Sequence, residues 1–147
     1  KVDHVHNDGR EGGKRLLLNY GPTLGHAIEM ATQTEEGEIF RHGEGVSLGM
    51  VAVAHIAQLH LSTPIEVGQK IKAILKAYNL PTSFSASKLG LKRDELIDSC
   101  ARLTLKDKKR KDNQLRFVLV NEPGSADVHT GIHNEHIIQA YQAVIKD

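Results

Sequence analysis

The chain has 147 residues, 25% of them charged, and a formal net charge of +1. That length suits one domain with a single core, and the near-neutral balance leaves no global field of the kind that draws a protein to nucleic acid or to a membrane surface. The one cysteine, Cys100, has no partner for an internal disulfide and falls in a helical pattern, so it reads as a small buried hydrophobe in a reducing compartment. Lys1 to Arg10 is polar and carries no signal-peptide pattern, and the absence of an initiator Met reads as a fragment or a processed product.

In chain order, the first fourteen residues hold three glycines and little apolar periodicity, and read as a connection into a short helix over Arg15 to Tyr20. A second helix opens at Pro22, where a missing N–H costs nothing, and buries Leu24, Ala27, Ile28 and Ala31 as one stripe. Thr23, His26 and Glu29 share a different, polar face of that helix. Thr32 to Phe40 reads as an exposed acidic loop. Val46 to Leu61 is apolar nearly all round, the mark of a helix buried inside a bundle, and His55, Gln58 and His60 interrupt it too often for a membrane span.

Ser62-Thr63-Pro64 reads as a hydroxyl cap followed by proline at a helix start. The helix that follows places Val67, Ile71, Ile74, Leu75 and Tyr78 on one side and Lys70, Lys72 and Lys76 on the other, and Leu80-Pro81 ends it. Ser83 to Gly90 reads as a linker of small polar residues, and a further helix over Arg93 to about Lys106 buries Leu96, Ile97, Cys100 and Leu103. After the run KDKKRK the period changes. Leu115 to Val120 and Ala126 to Ile132 read as two strands joined by turn chemistry at Asn121 to Gly124. Asn134 is the expected cap of a last helix that turns Ile137, Ile138, Tyr141, Val144 and Ile145 inward. The pattern as a whole is mainly α, a multi-helix bundle with a small antiparallel β hairpin near the C-terminus.

Several polar groups could carry chemistry, and each has a plainer competitor. The basic run Lys106 to Lys111 complements a helix C-terminus as a solvated charged turn, and without an aromatic platform it is a poor nucleic-acid surface, although one lysine could hold a phosphate. His129, His133 and His136 would suit a metal only on one helix, whereas the pattern places His129 in a strand and His133 in the connection. His4 and His6 form a weaker pair, and His55 and His60 are as well explained by a helix reaching solvent or a neighbour. His26 and His42 stand at the starts of helices, each beside a glycine (Gly25, Gly43) that allows close approach, and are the better candidates for a cleft.

Read together, Arg10-Glu11-Gly12-Gly13, Leu18-Asn19-Tyr20-Gly21, Gly25-His26-Ala27-Ile28-Glu29, His42-Gly43-Glu44, Gly49-Met50, Leu80-Pro81-Thr82, Asp107-Lys108-Lys109 and Leu115 to Leu119 form an ordered series. The series resembles the helical C-terminal domain of 3-dehydroquinate synthase and its sugar phosphate cyclase relatives. The resemblance implies an enzyme that converts 3-deoxy-D-arabino-heptulosonate 7-phosphate to 3-dehydroquinate and phosphate in the shikimate pathway, with NAD as internal redox cofactor and a divalent metal, zinc or cobalt. It further implies a cytoplasmic homodimer whose N-terminal NAD-binding domain lies outside residues 1–147. On the same basis Lys1 and Arg15 match positions that hold the substrate carboxylate, Asn19 and His26 polar contacts to substrate and phosphate with His26 assisting proton transfer, Lys108 a phosphate-binding lysine, and His42 a metal ligand. Arg15 favours a carboxylate-bearing substrate over the sugar phosphates of the 2-deoxy-scyllo-inosose and valiolone types.

One departure runs against these agreements. Where the family's motif has a metal-binding histidine, this chain has Pro22, which carries no donor atom. A second family ligand, a glutamate, would precede Lys1. Of the three protein ligands a catalytic zinc needs, this chain is thus expected to supply only His42, with Glu44 or His26 as weak substitutes. The chain alone is expected to lack cyclase activity, and a non-catalytic relative is the competing reading.

Overall fold

A computed structural model describes residues 21–122 and 124–147, so Lys1, His4, His6, Arg15, Asn19 and the expected helix over Arg15 to Tyr20 lie outside the described residues. Among the described residues, five α-helices, α1 (Pro22–Thr32), α2 (His42–Leu61), α3 (Ile65–Ala77), α4 (Arg93–Arg110) and α5 (Asn134–Val144), pack with two small sheets. Strands β2 (Phe117–Glu122) and β3 (Ser125–His129) form the expected antiparallel hairpin, with Phe117 opposite His129 and an irregularity between Val120 and Glu122. The mainly α bundle with a small hairpin is therefore the observed fold.

Helix α2 lies at its centre because nearly every face of it is apolar; Leu48, Val51, Ala52, Val53, Ile56 and Ala57 are all buried. It packs against α1, α3, α5 and β2, while α4 covers α1 and α5. The crossing of α1 over α2 is made by glycines. A Cβ on Gly25 would overlap the Gly45 carbonyl, and one on Gly49 would overlap the Gly21 carbonyl and the Gly25 nitrogen, so the two backbones touch where side chains would hold them apart. Gly43, beside His42, faces open space. Gly21, at φ 91°, turns the chain into α1 with Pro22 at the first helical position.

The expected stripe Leu24, Ala27 and Ile28 is buried, with Ala31 partly so. Thr32 belongs to α1 rather than to the loop: its hydroxyl donates to the Ile28 carbonyl at 2.7 Å, which lets a polar residue be buried at the helix end. Helix α2 starts a turn before Val46, at His42, because the Glu44 carboxylate accepts the Arg41 N–H at 2.9 Å and favours the positive end of the helix.

Other expectations are corrected by tertiary contacts. Ser62 ends α2 in a left-handed conformation, and the buried Thr63 hydroxyl donates to the Val120 carbonyl, so neither caps α3. On α3 only Val67 and Leu75 are buried; Ile65, Ile74 and Tyr78 are exposed, because α3 meets the core along a narrower face than its periodicity allows. The Ser83 to Gly90 segment is not a mere linker: β1 (Phe84–Ser85) pairs in parallel with β4 (Ile145–Lys146), and Ala86 N–H donates to the Lys146 carbonyl at 2.7 Å. Ile145 is accordingly a strand residue, and His133, not Asn134, stands at the N-cap of α5, without a side-chain cap. Arg93 closes the other end of α5, donating from Nε to the Ile145 carbonyl and from Nη2 to the Gln142 carbonyl.

Cys100 is buried, and burial pushes its thiol up to about 12, consistent with a packing role. Its carbonyl accepts the Thr104 hydroxyl, which leaves the buried Tyr141 hydroxyl to donate to Thr104 Oγ1. Four histidines meet at the far end of α2: His60 stacks edge-on to His129 and His133 to His136, and both His129 Nε2 and His136 Nδ1 are buried without hydrogen-bond partners.

Two measurements test this packing. Gly49→Ala is expected to cost about 1–3 kcal/mol in urea unfolding, through overlap at the α1–α2 crossing, whereas Gly43→Ala, with open space around it, should be neutral or slightly stabilising. Burial, and after it the charges of His129, His136 and His133, hold His60 below its ordinary pKa, and burial with Lys72 and Lys146 does the same to His55. The unfolded chain binds these protons more readily, so their stabilisation is full above about pH 6.5 and is lost as pH falls through the lower folded values. The melting temperature should therefore drop from about pH 7 to about pH 5, less steeply in His60→Gln.

Candidate functional site

The polar face of α1, the start of α2, the end of α4 and the hairpin enclose a cleft of about 810 Å³. His26 lies one turn into α1 and His42 is the first residue of α2, so the glycine-mediated crossing of the two helices brings both imidazoles to the same wall. Glu29 stands between them. Its carboxylate is 3.1 Å from His42 Nδ1 and 4.0 Å from the nearer His26 nitrogen, and its side chain is only 13% exposed, against 65% for His26 and 75% for His42.

The opposite wall is cationic. Helix α4 continues to Arg110, four residues past the expected end at Lys106, so the KDKKRK run is helix rather than a turn after one. Lys106 and Arg110, four residues apart, project from one face into the cleft, and Lys111 and Arg116 join them. Asp107 offsets part of this charge, with Arg110 Nη2 at 3.8 Å and Lys111 Nζ at 3.5 Å, while Lys106 and Arg116 form no ion pair among the described residues. The arrangement offers hydrogen-bonding imidazoles facing uncompensated cations, a setting that suits an anionic ligand with hydroxyl groups.

Among the candidates drawn from sequence, His26 and His42 are brought together. Lys108 is not beside them: two residues on from Lys106 it points round the helix and lines an adjoining hollow of about 420 Å³ with Leu105, Thr130 and Ile132. Sequence reasoning overlooked Lys106, Arg110 and Arg116 as wall residues; the i, i+4 spacing of the first two was the available signal.

The implied divalent metal can be tested against the donors present. His42 has a carboxylate on Nδ1, as metal-binding histidines often do, but Pro22 lines the cleft with no donor atom, and among the described residues no group of three histidine, cysteine, aspartate or glutamate side chains could hold a metal ion. The described residues therefore do not make a metal site by themselves. They also include no helix long and apolar enough to cross a membrane.

Comparison with known proteins agrees with the fold and the motifs. The chain is 37% identical over 145 residues to 3-dehydroquinate synthase of Acaryochloris marina and 36% identical over 144 residues to that of Thermobifida fusca, covering 99% and 98% of this chain. It spans 36% of the length of each. Among solved structures, 2-deoxy-scyllo-inosose synthase in complex with carbaglucose-6-phosphate, NAD+ and Co2+ superposes with a TM-score of 0.66 over 90% of this chain and 34% of that one; at 22% identity this likeness concerns the fold. A family model for the 3-dehydroquinate synthase C-terminal domain matches residues 1–110, and the chain belongs to that family.

Proposed function

We propose that this chain is the helical, substrate-facing part of a 3-dehydroquinate synthase, a carbon–oxygen lyase that turns 3-deoxy-D-arabino-heptulosonate 7-phosphate into 3-dehydroquinate and phosphate. The observation that carries the reading is the single cleft in which His26 and His42 face the cations at the end of α4. A sugar phosphate is both polyhydroxylated and dianionic, so it needs hydrogen-bonding groups and uncompensated positive charge on facing walls.

In this reading Lys106 and Arg116 draw the anion in and orient it, and His26 exchanges a proton at a substrate oxygen. Lys1, Arg15 and Asn19 complete the site from the preceding segment, by resemblance: Arg15 can pair bidentately with a carboxylate, and Asn19 can bond a hydroxyl. Lys108, at the adjoining hollow, reaches the phosphate only if its flexible stem swings toward the cleft. NAD, held by a preceding nucleotide-binding domain, supplies reversible oxidation of one hydroxyl. A homodimer in the cytoplasm follows the same resemblance. No step is assigned to the metal, because the described residues do not hold one.

Pro22 favours one competing reading, a relative that keeps the fold without the chemistry. Its place at the first position of α1 satisfies the helix start while leaving the cleft one imidazole short of the family's motif. Cyclisation of another sugar phosphate is the remaining alternative, and Arg15 weighs against it.

Two expected results check the proposal. The purified 147-residue chain given 3-deoxy-D-arabino-heptulosonate 7-phosphate, NAD and zinc should release no phosphate above background, because the resemblance places the NAD-binding domain outside residues 1–147 and the described residues offer no complete ligand set; turnover would overturn this. In the intact protein, Pro22→His should raise both bound zinc and the rate of phosphate release. A protein with neither gain is the non-catalytic relative.

A further inference from the structure

The Glu29 carboxylate is held where few side chains could place one. It lies across Gly45, where an added Cβ would overlap Glu29 Oε1, Cγ and Cδ, so the gap in α2 left by a missing side chain is the seat of this carboxylate. Both oxygens face one nitrogen, with His42 Nδ1 at 3.1 Å from Oε1 and 3.4 Å from Oε2. His26 Nδ1, at 4.0 Å, is outside hydrogen-bond range. The nearby Glu44 does not compete, since its carboxylate accepts the Arg41 N–H.

An ionised carboxylate can only accept, so the neutral His42 ring must carry its proton on Nδ1. Its Nε2 is then left with a free lone pair, and the exposed ring lines the cleft. We propose that Glu29 is a positioning residue, seated over Gly45, that fixes His42 as the Nδ1–H tautomer and so makes its Nε2 the electron-pair donor offered to the cleft. The role deepens the catalytic reading above and rests on it for its chemical purpose: Nε2 would receive a substrate hydroxyl proton. The tautomer itself rests on geometry within this chain.

The test uses the full 147-residue chain with 15N-labelled histidine, observed by long-range 1H–15N correlation at about pH 8.5, where imidazoles are neutral. His42 signals are identified by their loss in His42→Gln. His42 is expected to show a protonated Nδ1 and an unprotonated Nε2, and that pattern should be lost in Glu29→Ala. It should be lost equally in Gly45→Ala, whose new Cβ has the Glu29 side chain as its nearest neighbour, while alanine suits the helix. Unchanged ring signals from His129 and His136, whose Nε2 and Nδ1 are buried, report that each variant is folded. A His42 ring protonated on Nε2 in the parent chain, or one indifferent to both substitutions, would overturn the proposal. Phosphate release by the intact protein is read separately: the expected tautomer in a protein without turnover keeps the positioning role and removes the catalytic reading, and turnover with the opposite tautomer does the reverse.

Discussion

The close crossing of α1 and α2 is the constraint on which the rest of the molecule depends. Helices ordinarily sit 8–10 Å apart, held by the side chains between them. Here Gly21, Gly25 and Gly49 remove those side chains where the backbones meet, and Gly45 leaves a gap that the Glu29 side chain fills. Because α2 is also the helix around which α3, α5 and the hairpin pack, the depth of this one contact sets the position of α1 relative to the whole core. The cleft inherits its shape from it: the start of α2 and the second turn of α1 become one wall, with Glu29 seated in the last of the gaps.

That wall is polar on one side and rigid behind. Leu24, Ala27 and Ile28 anchor α1 in the core, so its opposite face can present Thr23, His26 and Glu29 without help from neighbouring loops. The facing cations come from a different logic. They sit at the C-terminal end of α4, where positive side chains are favoured by the helix dipole, and the helical repeat divides them between two hollows. Asp107 restrains two of them and Asp112 also lines the cleft, while Lys106 and Arg116 form no ion pair among the described residues.

Pro22 stands at the junction of these two arrangements. As the first residue of α1 it suits the helix as well as any residue could, and as a member of the cleft lining it contributes only carbon. Structural fitness and chemical silence coexist at this position, because the proline ring that suits the first helical turn carries no donor atom. Family membership and metal competence are thus separable properties of this chain.

Much of this was legible from residues alone. Periodicity located α1, α2, α4, α5 and the hairpin, since burial of an apolar stripe is a local demand that each segment states for itself, and motif order identified the family. The pairing of His26 with His42 could be suspected from their places at helix starts. What only the tertiary structure decided were the contacts between distant segments: the parallel pairing of Phe84–Ser85 with Ile145–Lys146, the use of Thr63 to hold the hairpin, the exposure of Ile74 and Tyr78, and the separation of Lys106 from Lys108. Each depends on which face a neighbour covers. Glu29 belongs to the same class, because its seat is a space in another helix, and a sequence records which side chains are present but not which absent one will be filled from elsewhere.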